Sequence, residues 1–266
     1  MLAARWFAAN RSRLLAGISR GWQRFIATRA MQRLKARYPG VWTFIARRFA
    51  RGEYLGLHLT IGLAISLIGL WIFAAITEDV IHHDPITVFD LSLLNWLQAH
   101  ATPTGHAIAV DVSRLGTGIT LSALGLLVAL LLAIRRAWLL LEGWLTAYLG
   151  AGVLNQALKT AIHRPRPVHS AILSSESWSF PSGHAMGSLI GYGMLAYLVI
   201  AYLPTGKNHR TAIVIAATVL VLAIGFSRLY LGVHYFSDVI GGFGAGVLWL
   251  SACISGLEVA RRASLP

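Results

Sequence analysis

The residues of this chain that can do chemistry fall into three short polar clusters set in long apolar stretches. They are Lys159-x6-Arg166-Pro167, then Pro181-Ser182-Gly183-His184, then Ser227-Arg228-x5-His234-x3-Asp238. Together they supply three cations, two imidazoles and one carboxylate, the groups needed to hold a phosphate ester and attack it. A charged group beside a lipid-embedded helix is costly, so an ionisable cluster there marks a functional site.

His234 and Asp238 are four apart and share one face of a helix. A carboxylate bonded to one imidazole nitrogen fixes the tautomer and leaves the other nitrogen free as nucleophile or base. The same spacing also serves a purely structural pair; Arg228 beside it and the common membrane face favour chemistry. Ser182 and Gly183 sit where a loop enters an apolar run, so their amides and the positive helix end form an anion site. Ser182 is equally an N-cap, a role compatible with anion binding. His184 in the first turn is suited to protonating a departing oxygen. Lysine near a membrane surface is ordinarily a snorkelling anchor. Lys159 stands out because Arg supplies 20 of the 23 basic residues. The turn after it, with Arg164, Pro165, Arg166 and Pro167, is rigid and basic. Arginine grips two phosphate oxygens at once, while lysine offers a mobile point charge.

These residues need a scaffold, and the composition says which kind. The 266 residues are 56% hydrophobic and 12% charged, with a mean hydropathy of +0.63. That excludes disorder and an ordinary soluble enzyme, and implies a polytopic membrane protein. Six apolar runs of membrane-crossing length fall at 55–76, 115–134, 138–158, 184–203, 211–229 and 236–257. Lipid offers the backbone no hydrogen-bond partners, and unbroken runs of this length do not alternate as barrel strands do. The expected fold is all-α, a six-span membrane bundle. Segment 86–100, with Phe89, Leu93, Trp96 and Leu97 as an apolar stripe, reads as an interfacial helix in the first outer loop, or as a loop packed over the site.

The charge divides the chain into a basic arm, 1–53, and a membrane domain, 54–266. The arm holds 12 of the 23 Lys and Arg against Glu53 alone, a net +11. Two readings stand side by side. In one, Leu14, Ile18, Trp22 and Phe25 form a helix lying on anionic lipid headgroups; in the other, the arm is solvated. An Arg-rich, acid-poor start also fits an organelle transit peptide, whereas no apolar run follows closely enough for a cleaved secretory signal. Nucleic acid is not expected as a partner, because no reader motif accompanies the arm.

Basic loops mark the inner side. The arm, Arg135-Arg136, Lys207 with Arg210, and Arg261-Arg262 then lie inside, and Glu78, Asp79, Asp84, Asp90 and Asp111 lie outside. All three polar clusters fall on the outer face of a cell inner or plasma membrane. Glu142, near the inner end of the third run, is expected to pair with an arginine. Asn155, one turn before Lys159, supports the site or caps a polar seam. The lone Cys253 permits no intrachain disulfide and reads as a buried structural thiol.

The three clusters resemble the signature motifs of the type 2 phosphatidic acid phosphatase and vanadium haloperoxidase superfamily, in its bacterial membrane lipid phosphatase branch. The resemblance is detailed over residues 155–240. It implies His234 as a nucleophile that becomes phosphohistidine, Asp238 as its orienter, and His184 as the acid that protonates the leaving oxygen and later activates water. Lys159, Arg166, Ser182, Gly183 and Arg228 would hold the phosphate oxygens; Arg164 is not a signature position. No cofactor and no metal are implied. Mg²⁺ and Ca²⁺ also want several oxygen donors, and here Asp238 has only Glu176 as a candidate companion. The implied substrate is a lipid phosphomonoester or pyrophosphate, of the phosphatidic acid, phosphatidylglycerophosphate or undecaprenyl pyrophosphate class. Transfer to another lipid, or a non-catalytic lipid-binding role, are the competing readings.

Overall fold

The computed structural model describes residues 28–40, 54–82, 85–167, 178–203 and 206–263. The Leu14–Phe25 stripe of the arm, His83, Asp84 and Glu176 lie outside the described residues. Within them every regular element is a helix, as expected. These are α1 (Arg29–Arg37), α2 (Tyr54–His82), α3 (Pro85–Ala99), α4 (Pro103–Arg114), α5 (Gly118–Ile134), α6 (Trp138–Ile162), α7 (Gly183–Tyr202), α8 (Lys207–Tyr230) and α9 (Phe236–Ala263). The short α1 falls in a unit separate from the bundle, which begins at His58. Its last turn carries Lys35 and Arg37, a favourable sign of charge for a helix C-terminus.

The helices begin and end where local chemistry dictates. Thr102 caps α4 by accepting from the Gly105 amide, with Pro103 at the first helical position, where a missing N–H costs nothing. Thr117 caps α5 in the same way through the Thr120 amide. Helix α6 ends at His163, whose backbone turns left-handed at φ 52° and whose amide donates to the Lys159 carbonyl, a standard way to stop a helix.

Among the described residues, five helical segments are long and apolar enough to cross a membrane: His58–His82, Pro103–Ile134, Gly183–Tyr202, Lys207–Tyr230 and Phe236–Ala263. The chain is a multi-pass membrane protein. Helix α6, the third of the six expected spans, is 25 residues long but is not among these five. It carries Glu142, Asn155, Gln156 and Lys159.

Helices α7 and α9 form the centre of the bundle: they pack on each other and both on α6, while α7 also reaches α5 and α8 and α9 also reaches α3. The main core joins Trp144 and Ala147 of α6 to Met186, Ile190 and Met194 of α7 and to Ala245 and Leu257 of α9. A second cluster, Leu97, Ala185, Leu229 and Val239, sits nearer the polar residues. The indole of Trp144, fully buried, donates to the Gly125 carbonyl at 2.9 Å, which satisfies its only polar atom.

Three local expectations need correction or extension. In α3 the buried residues are Asp90, Leu94 and Leu97, whereas Phe89 and Trp96 of the expected stripe are exposed. The inward face is chosen by a carboxylate rather than by apolarity alone. Helix α4 precedes the second apolar run and was not anticipated, although Thr102-Pro103 is a start signal. Among the described residues Glu142 makes no ion pair. The paired carboxylate at that end is Glu258, which accepts from Arg261 and from the Tyr197 hydroxyl, each at 2.7 Å.

Helices α2 and α9 touch backbone to backbone. A Cβ added at Gly69 would lie 2.8 Å from the Leu248 amide nitrogen and 2.9 Å from the Gly244 carbonyl, and one at Gly244 would lie 3.0 Å from the Phe73 nitrogen. Backbone cannot yield there as a side chain can. Gly244→Val is therefore expected to cost about 1–3 kcal/mol through overpacking, seen as a lower thermal midpoint in detergent; an unchanged midpoint would show that α2 packs elsewhere.

Candidate active site

The start of α9 carries the reactive group. Asp238 is fully buried and His234 is 2% exposed. The imidazole Nδ1 of His234 donates to Asp238 Oδ2 at 3.2 Å, and the Tyr235 amide donates to the same oxygen at 2.9 Å. An ionised carboxylate can only accept, so Nδ1 holds the proton and Nε2 keeps its lone pair. Arg166 Nη1 lies 3.4 Å from Nε2 and donates to the Val233 carbonyl at 3.1 Å. Burial is the largest influence on the His234 imidazole and pushes it down to about 4, with Arg166 and Arg228 adding to burial and Asp238 opposing it. His234 is thus neutral near pH 7, with its free nitrogen beside a cation.

The Arg164–Pro167 turn is held against the 178–182 segment by a set of short bonds. The Ser179 amide donates to the Arg164 carbonyl at 2.8 Å, and the Ser179 hydroxyl donates to the Pro165 carbonyl at 3.0 Å. Lys159 Nζ donates to the Trp178 carbonyl at 2.9 Å, and the Trp178 indole meets the His163 ring edge-on. Lys159 is buried and lies within electrostatic reach of Arg166, Asp238 and Arg228.

Arg164 does not face the same way as these cations. Its Nη1 donates to Asp238 Oδ1 and to Ser237 Oγ, each at 2.6 Å, and its Nη2 donates to Asp90 Oδ2 at 2.8 Å. Its guanidinium lies over the Tyr235 ring, 4.4 Å from the centroid. Burial works against that charge, but Asp238 and Asp90 outweigh it and hold the Arg164 guanidinium above its ordinary pKa.

At the start of α7, Ser182 is the N-cap and its hydroxyl accepts from the Ala185 amide. The Ser182 amide donates to the Asp238 carbonyl at 2.9 Å, which joins the second cluster to the third. Gly183 lies close against Asn155: a Cβ there would come 3.1 Å from Asn155 Oδ1, a tight contact that the amide would have to yield to. Asn155 also donates to the Pro181 carbonyl at 3.4 Å, so it supports this loop. His184 lies within electrostatic reach of Arg228, His234, Arg166 and Lys159. Its buried Nε2 has no hydrogen-bond partner among the described residues. Arg228 donates through Nη1 to Ser113 of α4 at 2.5 Å, and its buried Nε is likewise unpartnered among the described residues. A buried donor left unmatched is costly, and a bound anion is the natural partner for both side chains.

The PAP2 superfamily sequence profile matches residues 139–262. Phosphatidylglycerophosphatase B of Bacillus subtilis is 31% identical over 184 residues, covering 68% of this chain and 89% of that protein. The chain belongs to the PAP2 superfamily. With its phosphatase relatives, that membership makes it a hydrolase of the phosphatase kind. A lipid A 1-phosphatase of Rhizobium johnstonii is 33% identical over 131 residues, 44% of this chain and 49% of that protein. Among solved structures, the transmembrane PAP2-type phosphatidylglycerolphosphate phosphatase from Bacillus subtilis aligns with a TM-score of 0.65 at 27% identity. That alignment covers 77% of this chain and 97% of that one.

All eight residues singled out in the sequence lie within the stretch that matches the PAP2 profile, and the fold brings the three clusters together. Sequence reasoning missed Asp90, Ser113, Ser179 and Ser237, each of which bonds a member of those clusters. For Asp90 a signal existed, since it is the single charged residue of α3; the serines carried none.

The His234 environment has a testable consequence. A neutral imidazole is required for attack, so activity is lost as pH falls through its folded-state pKa. The acid limb of kcat/KM is expected near pH 4, not at the ~6.5 of a solvated histidine. A limb at the ordinary value would show that His234 is open to water.

Proposed function

We propose that this chain is an integral membrane lipid phosphatase, metal-independent, acting on a lipid phosphomonoester or pyrophosphate through a phosphohistidine. One observation carries the reading. The one nitrogen of a buried, carboxylate-oriented imidazole that Asp238 does not hold stands beside Arg166, with Arg228 also within electrostatic reach.

In this reading His234 Nε2 attacks phosphorus as the bond to the lipid oxygen breaks, and His184 delivers a proton to that oxygen. His184 then takes a proton from water, the resulting hydroxide attacks phosphorus, and the P–N bond breaks to release phosphate. Asp238 holds the Nδ1 proton throughout and stabilises the positive charge on the ring. Lys159, Arg166 and Arg228, with the Ser182 hydroxyl and the Gly183 amide, neutralise the equatorial oxygens, where most of the catalytic advantage in phosphoryl transfer arises. Metal is not needed for this chemistry. Both oxygens of Asp238 are engaged by Arg164, His234 and the Tyr235 amide, and cations beside the site would repel a metal ion.

The substrate classes are those whose charged head lies at the membrane surface and whose tail stays in lipid: phosphatidic acid, phosphatidylglycerophosphate or undecaprenyl pyrophosphate. Similarity to phosphatidylglycerophosphatase B and to a lipid A 1-phosphatase supports a lipid phosphate. We place α6 as the sixth membrane span, third in order, because it packs between α5, α7 and α9. The site then opens on the outer face of the cell inner or plasma membrane, with α3 at that interface. Residues 1–53 form a separate arm directed to anionic headgroups on the inner side, and residues 54–266 form the catalytic domain.

The deciding assay is phosphate release by the purified chain, in EDTA, from those three lipids. Wild type is expected to release phosphate, His234→Ala to be inactive, and Arg166→Ala to lose about 100- to 1,000-fold. Wild-type turnover by His234→Ala would sink the mechanism, and a phosphorylated acceptor in place of free phosphate would make the enzyme a transferase. For topology, Ser170→Cys in a Cys253→Ser background is expected to react with an impermeant thiol reagent from outside intact cells. Reaction only after permeabilisation would place the site inside.

A further inference from the structure

Asp90 stands far from the three clusters in sequence, on α3, yet it is 1% exposed and in the middle of their hydrogen-bond network. Its Oδ2 accepts from Arg164 Nη2 and from the Ser237 hydroxyl, and its Oδ1 accepts from the Ser237 amide at 2.9 Å. Arg164 in turn donates to Asp238 Oδ1 at 2.6 Å. A continuous chain of contacts therefore runs from Asp90 to Arg164 to Asp238 to His234 Nδ1. We propose that Asp90 and Arg164 are positioning residues that fix the Asp238 carboxylate and, through it, the aim of the His234 nucleophile. The inference rests on the phosphohistidine reading above.

Two features separate this from a buried ion pair that merely stabilises the fold. First, buried ion pairs are poor stabilisers, because desolvation offsets their attraction and an apolar pair of similar volume does as well. Placing one on the orienter of the nucleophile has a geometric use instead. Asp238 Oδ2 is taken by His234 and the Tyr235 amide, and Oδ1 is taken by Arg164, so the carboxylate cannot rotate away from the imidazole. Second, the charges are balanced in a particular way. Arg164 facing Asp238 alone would draw the negative charge away from His234. Asp90 shares Arg164, so Asp238 keeps charge available to the imidazolium that forms when phosphorus is attacked. Three of the five N–H donors of Arg164 go to Asp238, Ser237 and Asp90, which turns its fork toward the carboxylates rather than toward the phosphate cradle.

The test uses the full chain in detergent, with phosphatidic acid as substrate, and compares wild type, Asp90→Asn, Arg164→Gln and the double variant. Asparagine keeps an oxygen for the Ser237 amide but puts an N–H donor where Oδ2 accepted from Arg164, so it removes both the charge and the acceptor shared with Arg164. Each single variant is expected to lower kcat by about 10- to 100-fold with KM little changed, the scale on which misplaced catalytic groups lose rate. The double variant is expected to match Arg164→Gln rather than the product of the two losses, because Asp90 acts through Arg164. Should Asp90→Asn fail to give folded protein, Arg164→Lys serves, since it keeps the charge but cannot bridge two carboxylates; it too is expected to lose kcat at constant KM. Wild-type kcat in Asp90→Asn or Arg164→Lys, multiplicative losses in the double variant, or a rise in KM with kcat retained would each overturn the proposal. His234→Ala, assayed beside them, separates the cases: activity in that variant defeats the phosphohistidine reading, whereas normal kcat in Asp90→Asn with an inactive His234→Ala defeats only the positioning role.

Discussion

The site depends on burying one carboxylate. Asp238 is wholly removed from solvent, and an unpaired charge in such surroundings is strongly disfavoured. It is matched by Arg164 from the turn after α6, by His234 and by the Tyr235 amide at the start of its own helix. Its backbone carbonyl accepts from Ser182, at the start of α7. Three segments remote in sequence therefore meet at one residue, and removing that charge would leave a buried guanidinium and a buried imidazole without their common partner.

That meeting point needs backbone proximity as well as charge, and the glycines of α9 supply it. A Cβ at Gly241 would fall 2.5 Å from the Phe180 ring, and one at Gly242 would fall 2.8 Å from the Ser182 carbonyl. The segment that carries Ser182 and Gly183 can lie on α9 only because these positions lack side chains. Packing and chemistry are then one constraint: the small residues that seat the helices also set how near the second cluster comes to the third. Both α7 and α9 start at the site, so the partial positive charge of two helix N-termini adds to the side-chain cations.

Much of this was legible in the sequence because polar residues in an apolar chain are conspicuous. His234 and Asp238, four apart, could only share a face, and Ser182-Gly183 before an apolar run could only be a helix start. The spans were visible as runs, and the structure extends them: the 55–76 run lies within α2, which continues to His82. What was not legible were the partners supplied by single residues on other elements. Ser113 holds Arg228, and Ser237 bridges Arg164 and Asp90, but a serine has no pattern that marks it in advance. Asp90 lies on the face of Leu94 and Leu97, away from Phe89 and Trp96. The apolar stripe of segment 86–100 was read from Phe89, Leu93, Trp96 and Leu97, although a helix that packs on a charged site turns its complementary charge inward. Phe89 and Trp96 face outward in consequence, as apolar residues can beside a membrane.

The assembled cluster is itself charged in a way that suits a phosphate ester. Lys159, Arg164, Arg166 and Arg228 bring four positive charges, and Asp90 and Asp238 bring two negative ones, with Asp90 and Asp238 both committed to Arg164. Among the described residues the balance is a net of two positive charges, and burial holds Lys159 and Arg166 partly away from water. A site in that state is under-neutralised and favours an anion of about −1.5 to −2, the charge a phosphate monoester carries near pH 7. Neutral His234 adds nothing to the repulsion among the cations before reaction, and when phosphorus is attacked the new charge on its ring appears next to Asp238, not among the arginines. The arrangement thus separates the two tasks of the site. Arg166, Arg228 and Lys159 meet the charge that arrives with the substrate, while Asp238, fixed by Arg164 and Asp90, meets the charge that the reaction creates.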